Sequence, residues 1–369
     1  MGVSLLPEDL LLSRSSCLVA ARDALAAGDE LLTEAFAGLR ARAEEALSHG
    51  PFSVVDDALV PPSGDKHDYL SVGPYWWPDP AKPDGLPYIR RDGEVNPERN
   101  QGDAAAMGKM NGAVKSLALA YWLTNDERYA EHAAHLLRVW FLDEATRMNP
   151  HLEYAQAIPG RCAGRGIGII DTTGWIELPD RVVLLARSPH WSSADHEGLQ
   201  RWFDAYLEWL LTSKHGRDER AAVNNHGTWY DAQVAAFALF VGHHNVAADI
   251  LSQVGDERLA RQVEPDGSQP HELARTKSWG YSVFNLTAYL DLARLGEHVG
   301  VDLWHFQTVD GRSLRTALDF LVDHLAGTRR WLYPQLGGWH PEALLGPLLM
   351  AAHGLDDTRY FEVAAELAV

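Results

Sequence analysis

One helical-hairpin signature is written twice in this chain, and it constrains the fold more than any other feature. Asp126-Glu-Arg128-Tyr129-Ala-Glu131-His-Ala133-Ala134-His-Leu136 returns as Asp357-Thr-Arg359-Tyr360-Phe-Glu362-Val-Ala364-Ala365-Glu-Leu367. Each copy follows an apolar helix and a short loop. Asp256-Glu-Arg258-Leu259 is a weaker echo. Such a hairpin hides its apolar face only against a neighbour, so repeats stack. Closed on itself, a stack of this kind is an (α/α) barrel or toroid.

Helical periodicity runs through the rest. Leu32, Phe36, Leu39, Ala43 and Leu47 form one stripe. Leu199, Trp202, Phe203, Tyr206 and Leu210 form a second, with Ser192 and Asp195 placed as a cap. Leu314, Leu318, Leu321 and Leu325 form a third, closed by Gly327. Further helices are predicted over 103–123, 127–141, 228–241, 245–253, 281–297, 342–353 and 357–368. Alternating strand patterns are scarce. The expected class is all-α, one domain over residues 1–369, with long loops over a central cleft.

The loops carry the chemistry. Residues 61–100, 148–175, 215–231 and 264–285 are non-helical in pattern and rich in aromatic and charged groups, which is uncommon for loops that only connect. In Asn224-Asn225-His226-Gly227-Thr228-Trp229-Tyr230-Asp231, His226 stands at a predicted helix start. The dipole there disfavours its protonated form, leaving an imidazole able to accept a proton. Asn225 has an amide to donate to a carboxylate, and Asn224 and Tyr230 are candidate substrate-binding groups. The bland alternative is that Asn224 or Asn225 caps the helix and His226 packs. Arg275 suits a carboxylate through bidentate pairing, and Tyr281 has a phenol that can move a proton beside a cation. The bland alternative for this pair is an Arg275–Glu272 salt bridge and a core tyrosine.

Taken together these residues fit elimination at a uronic acid. That reaction needs the C5 carboxylate neutralised, the C5 proton removed and the leaving C4 oxygen protonated. Asn225 and Arg275 can do the first; His226 and Tyr281 can do the other two. No paired carboxylates, no metal and no cofactor are needed, unlike glycoside hydrolysis. Ahead of Pro74, Lys66, His67, Asp68 and Tyr69 lead into Tyr75, Trp76 and Trp77. Aromatic rings stack on sugar faces and cations hold carboxylates, so 61–100 reads as a substrate lid or as a self-packed surface loop.

Net charge bears on the substrate. At -19 the chain is a poor nucleic-acid partner, and a polyanionic substrate requires a local basic cleft. Lys66, Arg90, Arg91, Arg161, Arg165, Arg275 and Lys277 all fall in these loops. The start MGVSLLPEDLLLSRSS has no signal-peptide pattern, no apolar run reaches membrane-spanning length, and two cysteines make no disulfide framework. A cytoplasmic location is expected, or an exported one where a leader has been removed.

The loop motifs GDKHDYLSVGPYWWPDP, PDGLPYIRRDGEVNPE, YAQAIPGRCAGRGIGIIDT, NNHGTWYD and ELARTKSWGYSVFNLTAYLDLARLGEHVGVDLW resemble the alginate lyase superfamily, whose members include mannuronate-specific alginate lyases and glucuronan lyases. The resemblance implies an (α/α) toroid, metal-independent β-elimination of a polyuronate and an unsaturated product. It implies a catalytic quartet at Asn225, His226, Arg275 and Tyr281, and a lid at Tyr75, Trp76 and Trp77. RTKSWGY looks closer to the glucuronan branch. Two competing functions are an α/α-barrel hydrolase acting on uronate sugars, with acids among Asp171, Asp231 and Asp266, and a non-catalytic carbohydrate-binding helical protein.

Overall fold

The computed structural model describes residues 10–325 and 329–368. They form two compact units, residues 1–89 with 96–212 and residues 90–95 with 213–369. Gly327, the expected end of the third stripe, lies outside the described residues. No described helix is long and apolar enough to cross a membrane.

The first unit holds α1 (Ser15–Ala26), α2 (Glu30–Ala46), α3 (Asp103–Thr124), α4 (Glu127–Phe141), α5 (Leu178–Leu185) and α6 (Ser193–Thr212). Its core is aromatic: Trp175, Trp202, Phe141 and Phe203 meet edge-on or tilted, with ring centroids 4.8–6.1 Å apart. Ser192 and Asp195 cap α6 as expected. The Ser192 hydroxyl accepts from the Asp195 amide at 3.1 Å, and the Asp195 carboxylate accepts from the Ser192 amide at 2.9 Å. Two short strands, β1 (Leu70–Val72) and β2 (Tyr154–Ala157), pair in parallel. Residues 148–175, expected to be irregular, end in a 3-10 helix (Gly166–Glu177). Close packing sets it rather than propensity: a side chain on Gly168 would meet Ala155 at 2.5 Å.

The second unit holds α7 (Lys214–Arg220), α8 (Asn225–Phe240), α9 (His244–Val254), α10 (Ala260–Gln262), α11 (Pro270–Leu273), α12 (Ser278–Glu297), α13 (Leu314–Leu325), α14 (Leu345–Gly354) and α15 (Arg359–Leu367). The weak echo at Asp256 opens no new helix; Gly255–Leu259 is a π-turn that carries α9 into α10. Residues 215–220 fall in the expected loop 215–231, yet they belong to α7. Lys-His-Gly-Arg-Asp-Glu-Arg shows no apolar period, yet the Ser213 hydroxyl caps it by accepting from Gly216 at 2.9 Å.

The twice-written signature is a repeat in space as well. Asp126 and Asp357 accept from the amides of Arg128 and Arg359, at 3.1 and 3.2 Å. Tyr129 and Tyr360 are buried, and their hydroxyls donate to Glu44 on α2 and Asp319 on α13, at 2.6 and 2.8 Å. Arg128 and Arg359 reach the same two carboxylates. The motif therefore encodes a capped helix riveted to a carboxylate on another helix of its own unit.

Candidate active site

The expected quartet lies wholly within the second unit: Asn225 and His226 on the first turn of α8, Tyr281 on the first turn of α12, and Arg275 just ahead of α12. Both helices begin three residues before the predicted positions 228 and 281, because their starts are completed from elsewhere in the chain. Glu272 accepts from the Asn225 amide at 2.7 Å. Pro334 and Gln335 accept from the amides of Ser278 and Tyr281's neighbour Trp279, at 3.0 and 2.9 Å. Asn224 occupies the cap position without making a side-chain cap bond.

His226 is half-buried, and its Nδ1 lies 2.7 Å from Oε1 of Glu219, a residue of α7 whose side chain is 3% exposed. An ionised carboxylate only accepts, so Nδ1 carries the proton and Nε2 keeps its lone pair. The carboxylate fixes both tautomer and ring orientation, and it stabilises the imidazolium formed when Nε2 takes a proton.

Arg275 stacks on the ring of Tyr281, with its guanidinium carbon 3.8 Å from the centroid. Its Nη2 also donates to the Tyr281 hydroxyl oxygen at 2.7 Å. A guanidinium so placed stabilises negative charge that develops on that oxygen during the reaction. The salt-bridge partner is Asp92, not the expected alternative Glu272: Nε and Nη2 meet the Asp92 carboxylate at 3.2 and 2.9 Å. Burial alone would raise the Asp92 carboxyl, but its bonds and charge interactions with Arg275 and Arg90 hold it well below the usual range. Gly93, at φ 79°, lets this turn approach, since any side chain there would strike Thr276.

Glu272 ties the two motifs. Besides the Asn225 amide it accepts from Asn225 Nδ2 at 2.7 Å. Burial pushes its carboxyl up, opposed by the Asn225 bonds and by the charges of Arg275 and His226. Glu272 takes one of the two Asn225 Nδ2 hydrogens, and since Asn225 is 1% exposed, the second meets a substrate carboxylate only where the sugar packs directly on the first turn of α8. Glu219, Glu272 and Asp92 were not singled out as site residues from sequence. Glu219 and Glu272 precede Arg220 and Arg275 in acidic–basic runs that read as surface.

The first unit accounts for the remaining candidates. Trp76 has the guanidiniums of Arg161 and Arg165 over its ring, 5.1 and 5.8 Å from its centroid, so the aromatic loop and two of the expected cations do converge. Tyr75 and Trp77 are half-buried. Lys66 is fastened to the carbonyls of Val55 and Asp57, and His67 to that of Arg147. Two candidates are corrected. Tyr69 is 0% exposed with its hydroxyl on Asp171 at 3.0 Å, and Tyr230 is 1% exposed in the α8 core. Neither has a face left for a sugar.

The acids of the hydrolase reading are all engaged. Asp171 accepts from Tyr69, Ser71 and Gln156. Asp231 is buried against Arg258 at 2.7 Å, and Asp266 accepts from the Ser268 amide. Among the described residues no group of three or more His, Cys, Asp or Glu is placed to hold a metal ion.

Comparison with known proteins adds to this geometry. The family model described as alginate lyase matches residues 54–331. Among solved structures, an alginate lyase from Bacteroides ovatus is 40% identical, with a TM-score of 0.93 over 97% of this chain and 95% of that one. A variant of alginate lyase A1-III complexed with a tetrasaccharide is 14% identical, with a TM-score of 0.54 over 84% of each chain. Its apo form is 15% identical at the same TM-score, over 85% of this chain and 86% of that one. No curated protein matches. The fold class is thus the expected all-α one, the (α/α) toroid.

Proposed function

The chain belongs to the alginate lyase family and is a polysaccharide lyase, and on that premise we propose that it cuts a polyuronate of the alginate or glucuronan class by β-elimination at the Asn225–His226–Arg275–Tyr281 centre. The observation that carries this reading is the 2.7 Å bond from Arg275 to the Tyr281 oxygen. One cation there serves both acid–base chemistry and charge neutralisation. Nη1 of Arg275 has no partner among the described residues, and it takes the C5 carboxylate together with the free amide hydrogen of Asn225. Neutralising that carboxylate acidifies the C5 proton and stabilises the enolate-like intermediate. With the imidazole neutral, His226 Nε2 takes the C5 proton and the Tyr281 hydroxyl gives its own to the departing C4 oxygen, leaving an imidazolium beside Glu219 and a phenolate beside Arg275. Trp76 with Arg161 and Arg165 binds sugar and carboxylate groups.

The Arg275-to-Tyr281 stretch supports glucuronan, and the family supports alginate. An ultraviolet-absorbance screen on polymannuronate, polyguluronate, glucuronan and hyaluronan tests both. A rise from the conjugated double bond on one of the first three is expected. Reducing ends appearing without absorbance would mean hydrolysis, and no cleavage of any polymer would overturn the reading.

A further inference from the structure

The segment 331–340, Trp-Leu-Tyr-Pro-Gln-Leu-Gly-Gly-Trp-His, begins where the family match stops. It is clamped onto residues 276–279, between Arg275 and Tyr281. The Leu336 amide donates to the Thr276 carbonyl at 2.7 Å, and Lys277 and Gln335 form a β-bridge. Trp279 Nε1 donates to the His340 carbonyl at 2.8 Å, and Trp331 Nε1 to the Ser278 hydroxyl at 3.0 Å. Two left-handed glycines, Gly337 at φ 90° and Gly338 at φ 102°, turn the chain, and the Gln335 side chain closes the turn on the Gly338 carbonyl.

This clamp presents aromatic rings that are fixed on one side and open on the other. Trp339 is 42% exposed, with its ring 4.3 Å from that of buried Trp279. Tyr333 is 37% exposed, with its ring 5.0 Å from that of Trp331. Lys277 lies on the same clamp, its Cε 4.0 Å from where a Cβ on Gly337, two residues before Trp339, would stand. Unlike Arg275, the Lys277 ammonium has no hydrogen-bond or ion-pair partner among the described residues.

We propose that Lys277, Tyr333 and Trp339 form an accessory subsite for a uronate ring next to the one being cleaved, so the proposal rests on the lyase reading. A pyranose ring has C–H faces that stack on aromatic rings, and a uronate adds one carboxylate within reach of a cation. Held rings cost little ordering entropy on binding, and an unpaired ammonium loses no existing ion pair. Such a subsite adds affinity for the chain without touching the reacting carbons, so it acts on KM and leaves kcat.

The test is steady-state kinetics of wild type, Lys277→Gln, Lys277→Arg and Trp339→Ala on polymannuronate and glucuronan, followed by product absorbance. Melting temperatures and sedimentation are measured on every protein. We expect Lys277→Gln and Trp339→Ala each to raise KM about 10-fold, the size of one cation–carboxylate or stacking contact, with kcat held within about 2-fold. Lys277→Arg restores most of the loss. An unchanged KM in Lys277→Gln, at wild-type melting temperature, overturns the subsite while leaving the lyase reading intact. A wild-type dimer that Trp339→Ala dissociates assigns this face to a second copy of the chain and also overturns it. No product from wild type on any polyuronate removes the lyase reading, and the subsite falls with it.

Discussion

His226 and Tyr281 are each governed by a charged partner, one outside its motif and one within it. Glu219 holds the imidazole through Nδ1 and Arg275 holds the phenol. Tyr281→Phe keeps the stacking and deletes the proton-carrying oxygen, so kcat should fall by about 100- to 10,000-fold while the melting temperature stays put. Near-normal turnover would remove Tyr281 from the chemistry. Glu219→Gln keeps an acceptor for Nδ1–H but removes the charge that stabilises the imidazolium. We expect kcat to drop about 10- to 100-fold with little change in KM, as for other groups that orient a reacting histidine. A proportionate rise in KM instead would make Glu219 a binding or folding residue. The two motifs were legible because their chemistry is contiguous in sequence. Their three carboxylate partners were not, since burial and a distant fold contact, rather than residue type, give Asp92, Glu219 and Glu272 their roles.

Helix interiors could be read from apolar periodicity, and helix starts could not where the cap comes from far away. Asp195 is the local kind. Its bond to Arg138 and those to Ser192, against the effect of burial, hold its carboxyl at about 2 rather than the ordinary 3.8. A folded pKa below the unfolded one means stability that is complete above 3.8 and lost as pH falls through about 2. An acid titration followed by tryptophan fluorescence should therefore be shallower for Asp195→Asn in that window; an unchanged curve would show that the cap does not matter. Gln335 is the distant kind: Gln335→Ala should cost about 1 kcal/mol, as for other lost caps, read as a drop of a few degrees in melting temperature. Residues 331–340 carry the aromatic richness that marked 61–100, which is the signal that would have flagged them. Residues 214–220 carried none, being charged throughout.

For the whole molecule the dominant fact is a charge of -19 facing a polyanion. At low salt the body repels such a substrate over a long range; at 0.1 M, where the Debye length is about 10 Å, that repulsion is largely screened, while contacts in the site are little affected. Moderate salt should therefore raise kcat/KM on the polymer relative to low salt. A monotonic fall would mean that the local cations dominate the encounter. Neutralisation by Arg275 and Asn225 also predicts that a chelator leaves turnover unchanged, and lost activity restored by a divalent ion would contradict that scheme.

The family boundary at residue 331 hides a dependence. A copy of this chain cut there would retain His226, Arg275 and Tyr281 and would still score as a relative. It would also lack the carbonyl of Pro334 and the amide of Gln335 that anchor the first turn of α12. Its tyrosine would sit on a frayed helical end, so a functional chain has to run past the point where the family model stops.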